Sequence, residues 1–120
     1  MLKVTPKGIG RFTSAITDTL RNIHLFTDSG ELTEHGYAPL PLVPSRWDNG
    51  VYPDQAWEFV AGDPVDVVGY YVTDNSEGMV LSELFTTKND EGELVETPLT
   101  IKNTGDRIAV SLRLNLLGAV

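Results

Sequence analysis

Two histidines, His24 and His35, are the chain's only imidazoles, and none of its 120 residues is a cysteine. Nucleophilic catalysis needs a nucleophile, a base and a group that orients the base. Without cysteine there is no thiolate, no disulfide framework and no Cys-based zinc site. His24 stands in the alternating segment 23–27 and reads as a half-exposed strand residue. His35 stands in Glu34-His35-Gly36, within an irregular stretch, and reads as a solvated loop residue. No G-x-S-x-G elbow accompanies either of them.

The acids point no more firmly to a site. Asp28, Glu31, Glu34 and His35 lie close in sequence, but they lack an i, i+4 pair of ligands and match no zinc spacing. Asp74-x-Ser76-x-Gly78 has the opening of a calcium loop without its later bidentate Glu, and reads better as a hairpin. Gly8-Ile9-Gly10 precedes a helical pattern, but no strand leads into it and no G-K follows, so it is not a phosphate loop. Asp90, Glu91, Glu93 and Glu96 lie in a polar stretch with no apolar walls to shift a carboxyl toward acid–base work. The expectation is a protein that is not an enzyme, with no catalytic residue, cofactor or metal.

Composition narrows the partners. The formal net charge is −8 and the pI about 4.5, which repels phosphate backbones and anionic membrane surfaces. Nucleic acid and membranes are therefore not expected partners. With 41% hydrophobic and 22% charged residues, the chain has the make-up of one globular domain. No apolar run approaches the roughly 20 residues that span a bilayer, and MLKVTPKGIG has no signal-peptide core.

The elements follow from periodicity. Ile9, Phe12, Ile16, Leu20 and Ile23 form a helical stripe, which places a helix at about 11–22 after the glycines. A short strand at 23–27 leads into the turn Asp28-Ser29-Gly30. Residues 31–54 carry four prolines and read as an irregular loop, pinned by Tyr37, Trp47 and Tyr52. Strands are expected at 55–60, 65–73, 79–87, around Leu99 and Ile101, and at 107–116. VDVVGYYVT (65–73) is apolar on both faces, the mark of a central strand needing cover on each side. The helix or a neighbouring chain would supply the second cover. In the last strand Ile108, Val110, Leu112, Leu114 and Leu116 alternate with polar or small residues, giving one dry face. The fold class is thus mainly β: an antiparallel β-sandwich or jelly-roll-like domain with one short N-terminal helix. Residues 1–22 form the arm and helix, and 23–120 the sandwich.

The order of these segments resembles a group of small virion proteins encoded by tailed bacteriophages near their head genes. The resemblance rests on IHLFTD, LTEHGYAPLPL, SRWDNG, AWEFVAG, VVGYYVTD and DRIAVSLRLNL, and above all on GYYVTD followed by LSELF. It runs from about Asn22 to Leu117. It implies a β-rich structural protein of the particle, made in the host cytoplasm and located in the virion. The implied role is a capsid decoration or cement protein, with a tail, neck or baseplate component as the competing role. Its implied partners are the major capsid protein or another virion protein and copies of itself, a trimer being the default count.

An assembly protein needs anchors. Phe12, Ile16 and Leu20 on the helix, with Trp47 and Tyr52 on the loop, are the interface candidates. Each of them could equally serve the chain's own core. Tyr37, Trp47, Tyr52 and Trp57 also admit a second reading, a carbohydrate- or ligand-binding β-sandwich that stacks sugars on aromatic faces.

Overall fold

The computed structural model describes residues 6–114. Helix α1 (Pro6–Thr17) is the first element among the described residues. Proline at the first helical position loses no hydrogen bond there, because that N–H has no partner inside a helix. The helix therefore begins and ends earlier than the expected 11–22. Its last turn closes through Asp18 N–H to Ser14 O (2.9 Å) and Thr19 N–H to Ile16 O (3.0 Å).

Leu20 and Ile23 leave the helical stripe because strand β1 (Leu20–Thr27) claims them. β1 pairs antiparallel with a later strand, and Leu20, Ile23 and Leu25 become fully buried there. A ladder on one side and a dry core beneath outweigh one more helical turn.

The expected irregular loop contains three short elements. Strand β2 (Gly30–Glu31) closes the turn at Asp28-Ser29, and β3 (Leu40–Pro41) pairs with Asn22 and Ile23. A single 3₁₀ turn spans Pro44–Arg46. Strand β4 (Val51–Glu58) then starts inside the segment read as loop. Proline hid it: Pro53 and Asp54 lie opposite Ser111 alone in a bulge, one of the places where a strand tolerates a missing N–H.

The segment expected as one central strand divides in two. β5 (Val65–Val67) and β6 (Gly69–Asp74) belong to different sheets. Val68 is the hinge, with its N–H donating to Phe26 O and its own carbonyl accepting from Phe85 N–H, both at 2.9 Å. Gly69 permits the crossing, since a Cβ there would sit 2.3 Å from Glu83 O. A hairpin then leads to β7 (Met79–Leu84). Asp74 Oδ1 holds the loop by accepting from the Ser76 and Gly78 N–H groups at 3.0 Å.

β8 (Thr86–Lys88) and β9 (Leu94–Glu96) make an outlying hairpin, with Asn89 Oδ1 accepting from Glu91 and Glu93 N–H at 2.9 Å. β10 (Leu99–Ile101) pairs with β5, and β11 (Arg107–Arg113) with β4. β11 alternates as its sequence foretells: Ile108, Val110 and Leu112 are buried and the residues between them exposed. Asn115 and Leu116, the end of the expected strand, lie outside the described residues.

The architecture is mainly β and antiparallel, with one short N-terminal helix among the described residues. The sheet β2-β1-β6-β7, with β3 also on β1, faces the β4–β11 ladder across one core. Ile23, Leu25 and Val72 come from the first layer, and Tyr52, Trp57, Ile108, Val110 and Leu112 from the second. Val67 and Ile101 of the β5–β10 pair complete the core. No helix among the described residues is long and apolar enough to cross a membrane.

Candidate functional site

The densest set of polar side chains lies on the outer face of the β1–β6 sheet. His24 Nδ1 is 2.6 Å from Glu31 Oε2, and His24 Nε2 is 3.0 Å from Thr73 Oγ1. Tyr37 donates its hydroxyl to the same Glu31 oxygen at 2.7 Å and accepts the Leu25 N–H at 3.0 Å. The His24 ring stacks parallel on Tyr71 with centroids 4.5 Å apart. Period two explains the grouping: His24 and Tyr71 are direct cross-strand partners, and Asn22 faces Thr73. An open hollow of about 490 Å³ lies against them, also lined by Glu77 and Met79.

Electrostatics ties the group together. Burial alone would raise the Glu31 carboxyl, but hydrogen bonds to His24 and Tyr37 outweigh it and hold the group below its usual range. Burial, then the bond to Glu31, pushes the Tyr37 hydroxyl up, and Tyr71 moves the same way. Thr73, His24 and Glu31 stand in the order nucleophile, base and orienter. Thr73 is only 3% exposed, at the margin of the hollow. The arrangement pins β2 and the Tyr37 loop to the sheet. The sequence hid it because residues 24, 31 and 73 meet only through pairing.

His35 corrects its expectation. It is buried rather than solvated, 6% exposed, in a left-handed backbone conformation (φ 62°). Its Nδ1 lies 2.8 Å from Val60 O, and its Nε2 lies 2.8 Å from Asp63 O. A Cβ on Gly62 would lie 2.8 Å from the ring, so that glycine lets the 60–63 loop close over the imidazole. Among the described residues no cluster of three His, Asp or Glu side chains could hold a metal.

The five interface candidates part company. Phe12 projects into solvent at 57% exposure. Ile16 is half-buried against the core, as is Trp47, which packs edge-on to Tyr52 at 5.1 Å. Leu20 and Tyr52 are core residues, 0% and 1% exposed. Leu20 is drawn inward by β1, and Tyr52 by facing Leu112 across the β4–β11 ladder. Its hydroxyl accepts the Val43 N–H at 2.8 Å. Trp57 is likewise buried, its Nε1–H donating to Ala38 O at 2.9 Å. Tyr52 and Trp57 therefore serve the core, while Tyr37 and Trp47 remain half-buried at its margin.

α1 leaves the outer sheet face uncovered. The helix borders Pro44, Trp47, Asn49 and Gly50 at another part of the molecule. Exposed apolar side chains lie instead on Met79, Val80 and Leu84 of β7 and Leu99 of β10, and on Leu94 and Val95 of β9, a strand within the stretch expected to be polar. Two shallow grooves separate β7 from β11. One, of about 170 Å³, includes Trp47, Leu81 and Leu112, and the other, of about 240 Å³, includes Leu84 and Val110. Met79 and Leu84 were legible as apolar, but not as exposed, since burial depends on which strands pair.

No family model matches the chain, and no curated protein or solved structure is significantly similar to it.

Proposed function

We propose that this chain is a structural virion protein of a tailed bacteriophage, a head decoration or cement protein that works by contact. The observation that carries the reading is the distribution of apolar side chains. Leu94 (69% exposed), Met79 (63%), Phe12 (57%) and Leu84 (38%) face water on a body measuring 54 × 38 × 23 Å. Contiguous exposed apolar surface marks sites that bind other proteins, and Met79, Val80 and Leu84 share one strand, β7. On the β1–β6–β7 sheet, by contrast, Glu31 is engaged by His24 and Tyr37, and Glu83 by the Tyr70 hydroxyl at 2.5 Å. The GYYVTD and LSELF segments that resemble phage virion proteins form the β6–β7 hairpin, next to this apolar surface.

Quantitative mass spectrometry of purified particles tests the reading. A head protein is expected at a fixed stoichiometry to the major capsid protein, and a tail, neck or baseplate component at far lower copy number. Absence from washed particles overturns both.

A further inference from the structure

We infer that α1 of one copy of this chain docks on the β8–β9 hairpin of another copy, apolar anchor to apolar anchor and basic face to acidic face. The inference rests on the proposed assembly role and names the self-contact within it.

Both elements are short of partners inside the chain. Among the described side chains of α1 only Thr17 is buried, and every residue of β8 and β9 is exposed. β8 and β9 pair with each other and with no other described strand. A lone two-stranded hairpin is marginally stable in water, and so is a single helix of 12 residues. Each nonetheless holds a large apolar side chain in solvent: Phe12 at 57% exposure on the helix, and Leu94 at 69% on the hairpin. Leu94 stands opposite Lys88 and shares its face of the hairpin with Glu96.

Charge decides which surface covers which. Lys7 and Arg11 lie one turn apart on α1, both exposed, and neither is in an ion pair among the described residues. Residues 1–17 contain no acid, so all 17 Asp and Glu lie from Asp18 onward. Like charges at this helical spacing repel until an acidic neighbour offsets them. The hairpin carries Asp90, Glu91, Glu93 and Glu96 against Lys88 alone, all exposed. Arg11 precedes Phe12 as Glu93 precedes Leu94, so each anchor is flanked by the charge that the other surface attracts.

The same charges select the orientation of a second copy. Each chain carries −8 overall, so two of them repel in most approaches. Helix on helix and hairpin on hairpin bring like charges together, whereas helix on hairpin joins opposite ones. Exposed ion pairs contribute little affinity one by one. Phe12 and Leu94 therefore carry the contact, and the charges set its register.

Exchanging the charges tests the contact. Sedimentation velocity and mass photometry of the full chain at low salt are expected to show self-association that weakens as salt rises. Lys7→Glu with Arg11→Glu, and separately Glu93→Lys with Glu96→Lys, should each weaken it at least about tenfold, because helix and hairpin then repel. Mixed together, the two double variants should associate again, since the acidic helix of one meets the basic hairpin of the other. Phe12→Ala keeps every charge and should also weaken association about tenfold. All these positions are exposed, and circular dichroism melts check that each variant folds. A wild-type chain that stays monomeric at high concentration and low salt overturns the inference but leaves attachment to a capsid protein intact. Self-association retained by both double variants, or a mixture of them that stays monomeric, overturns the helix–hairpin contact while leaving the assembly role in place.

Discussion

Replacing Leu112 with aspartate tests the inner face of the sandwich. Leu112 is 5% exposed, lies opposite Tyr52 and packs with Ile108 and Val110. Losing its burial removes roughly 1.5–3 kcal/mol of transfer free energy. A carboxyl left in that apolar site without a partner adds a few kcal/mol more, whether it stays charged or takes up a proton. The sum reaches about 5 kcal/mol, against a total stability of about 5–15 kcal/mol for a domain. Leu112→Asp should therefore remove a third or more of the domain's stability and give the largest drop in urea midpoint of the series. Leu112→Ala, which leaves a cavity but no charge, should cost about 2–5 kcal/mol. Ala109→Asp sits on the opposite, exposed face of the same strand and should move stability by no more than about 0.5 kcal/mol. Urea titrations followed by tryptophan fluorescence measure all three, because Trp57 faces Ile108 in the ladder. Equal damage from Ala109→Asp and Leu112→Asp, or an unchanged midpoint for Leu112→Asp, refutes the register.

Three further outcomes are expected. Gly69→Ala drives a methyl into Glu83 O and the Phe26 ring and should cost at least about 1–3 kcal/mol, read from the urea midpoint; a neutral result contradicts the close β6–β7 approach. His35→Ala removes both ties to Val60 and Asp63 and should cost about 1–3 kcal/mol, with faster amide exchange at 60–63; unaltered exchange contradicts the clamp. Stability should also fall at both ends of the pH scale. Glu31, Asp74 and Asp106 are held below their usual 4.5, 3.8 and 3.8, so what they contribute is present above those values and lost as pH drops beneath them. Tyr37 and Tyr70 are raised above 10.0, so their contribution is present below pH 10 and lost as pH climbs past it. Tyr37→Phe and Tyr70→Phe should flatten the alkaline limb in thermal melts, and an undiminished alkaline loss in the double variant contradicts the assignment.

Local pattern carried the β-rich class, the last strand's alternation and the Asp74–Gly78 hairpin, because each is written in consecutive residues. It failed where tertiary pairing decided. Leu20 fits a helical stripe as well as a buried strand, and only the partnership with β6 settles it. VDVVGYYVT looks like one central strand, but Gly69 lets the chain change sheets after Val67, so its two apolar sets serve two ladders. Pro53 argued for a loop and instead marks a bulge within β4. The polar network of His24, Glu31 and Thr73 was invisible because its members are up to 49 positions apart. The exposure of Met79, Leu84 and Leu94 was hidden for the same reason. Among the interface candidates, Phe12 alone is strongly exposed, and Leu20 and Tyr52 went to the core.

In the proposed role this chain acts by contact within a phage particle, and a cryo-electron microscopy map of that particle at side-chain resolution tests the role most directly. Density fitting this β-rich fold is expected on the particle, with Met79, Leu84 and Leu94 covered by a second copy or a capsid subunit. A complete map with no place for this fold, or one in which those side chains all face solvent, would contradict it.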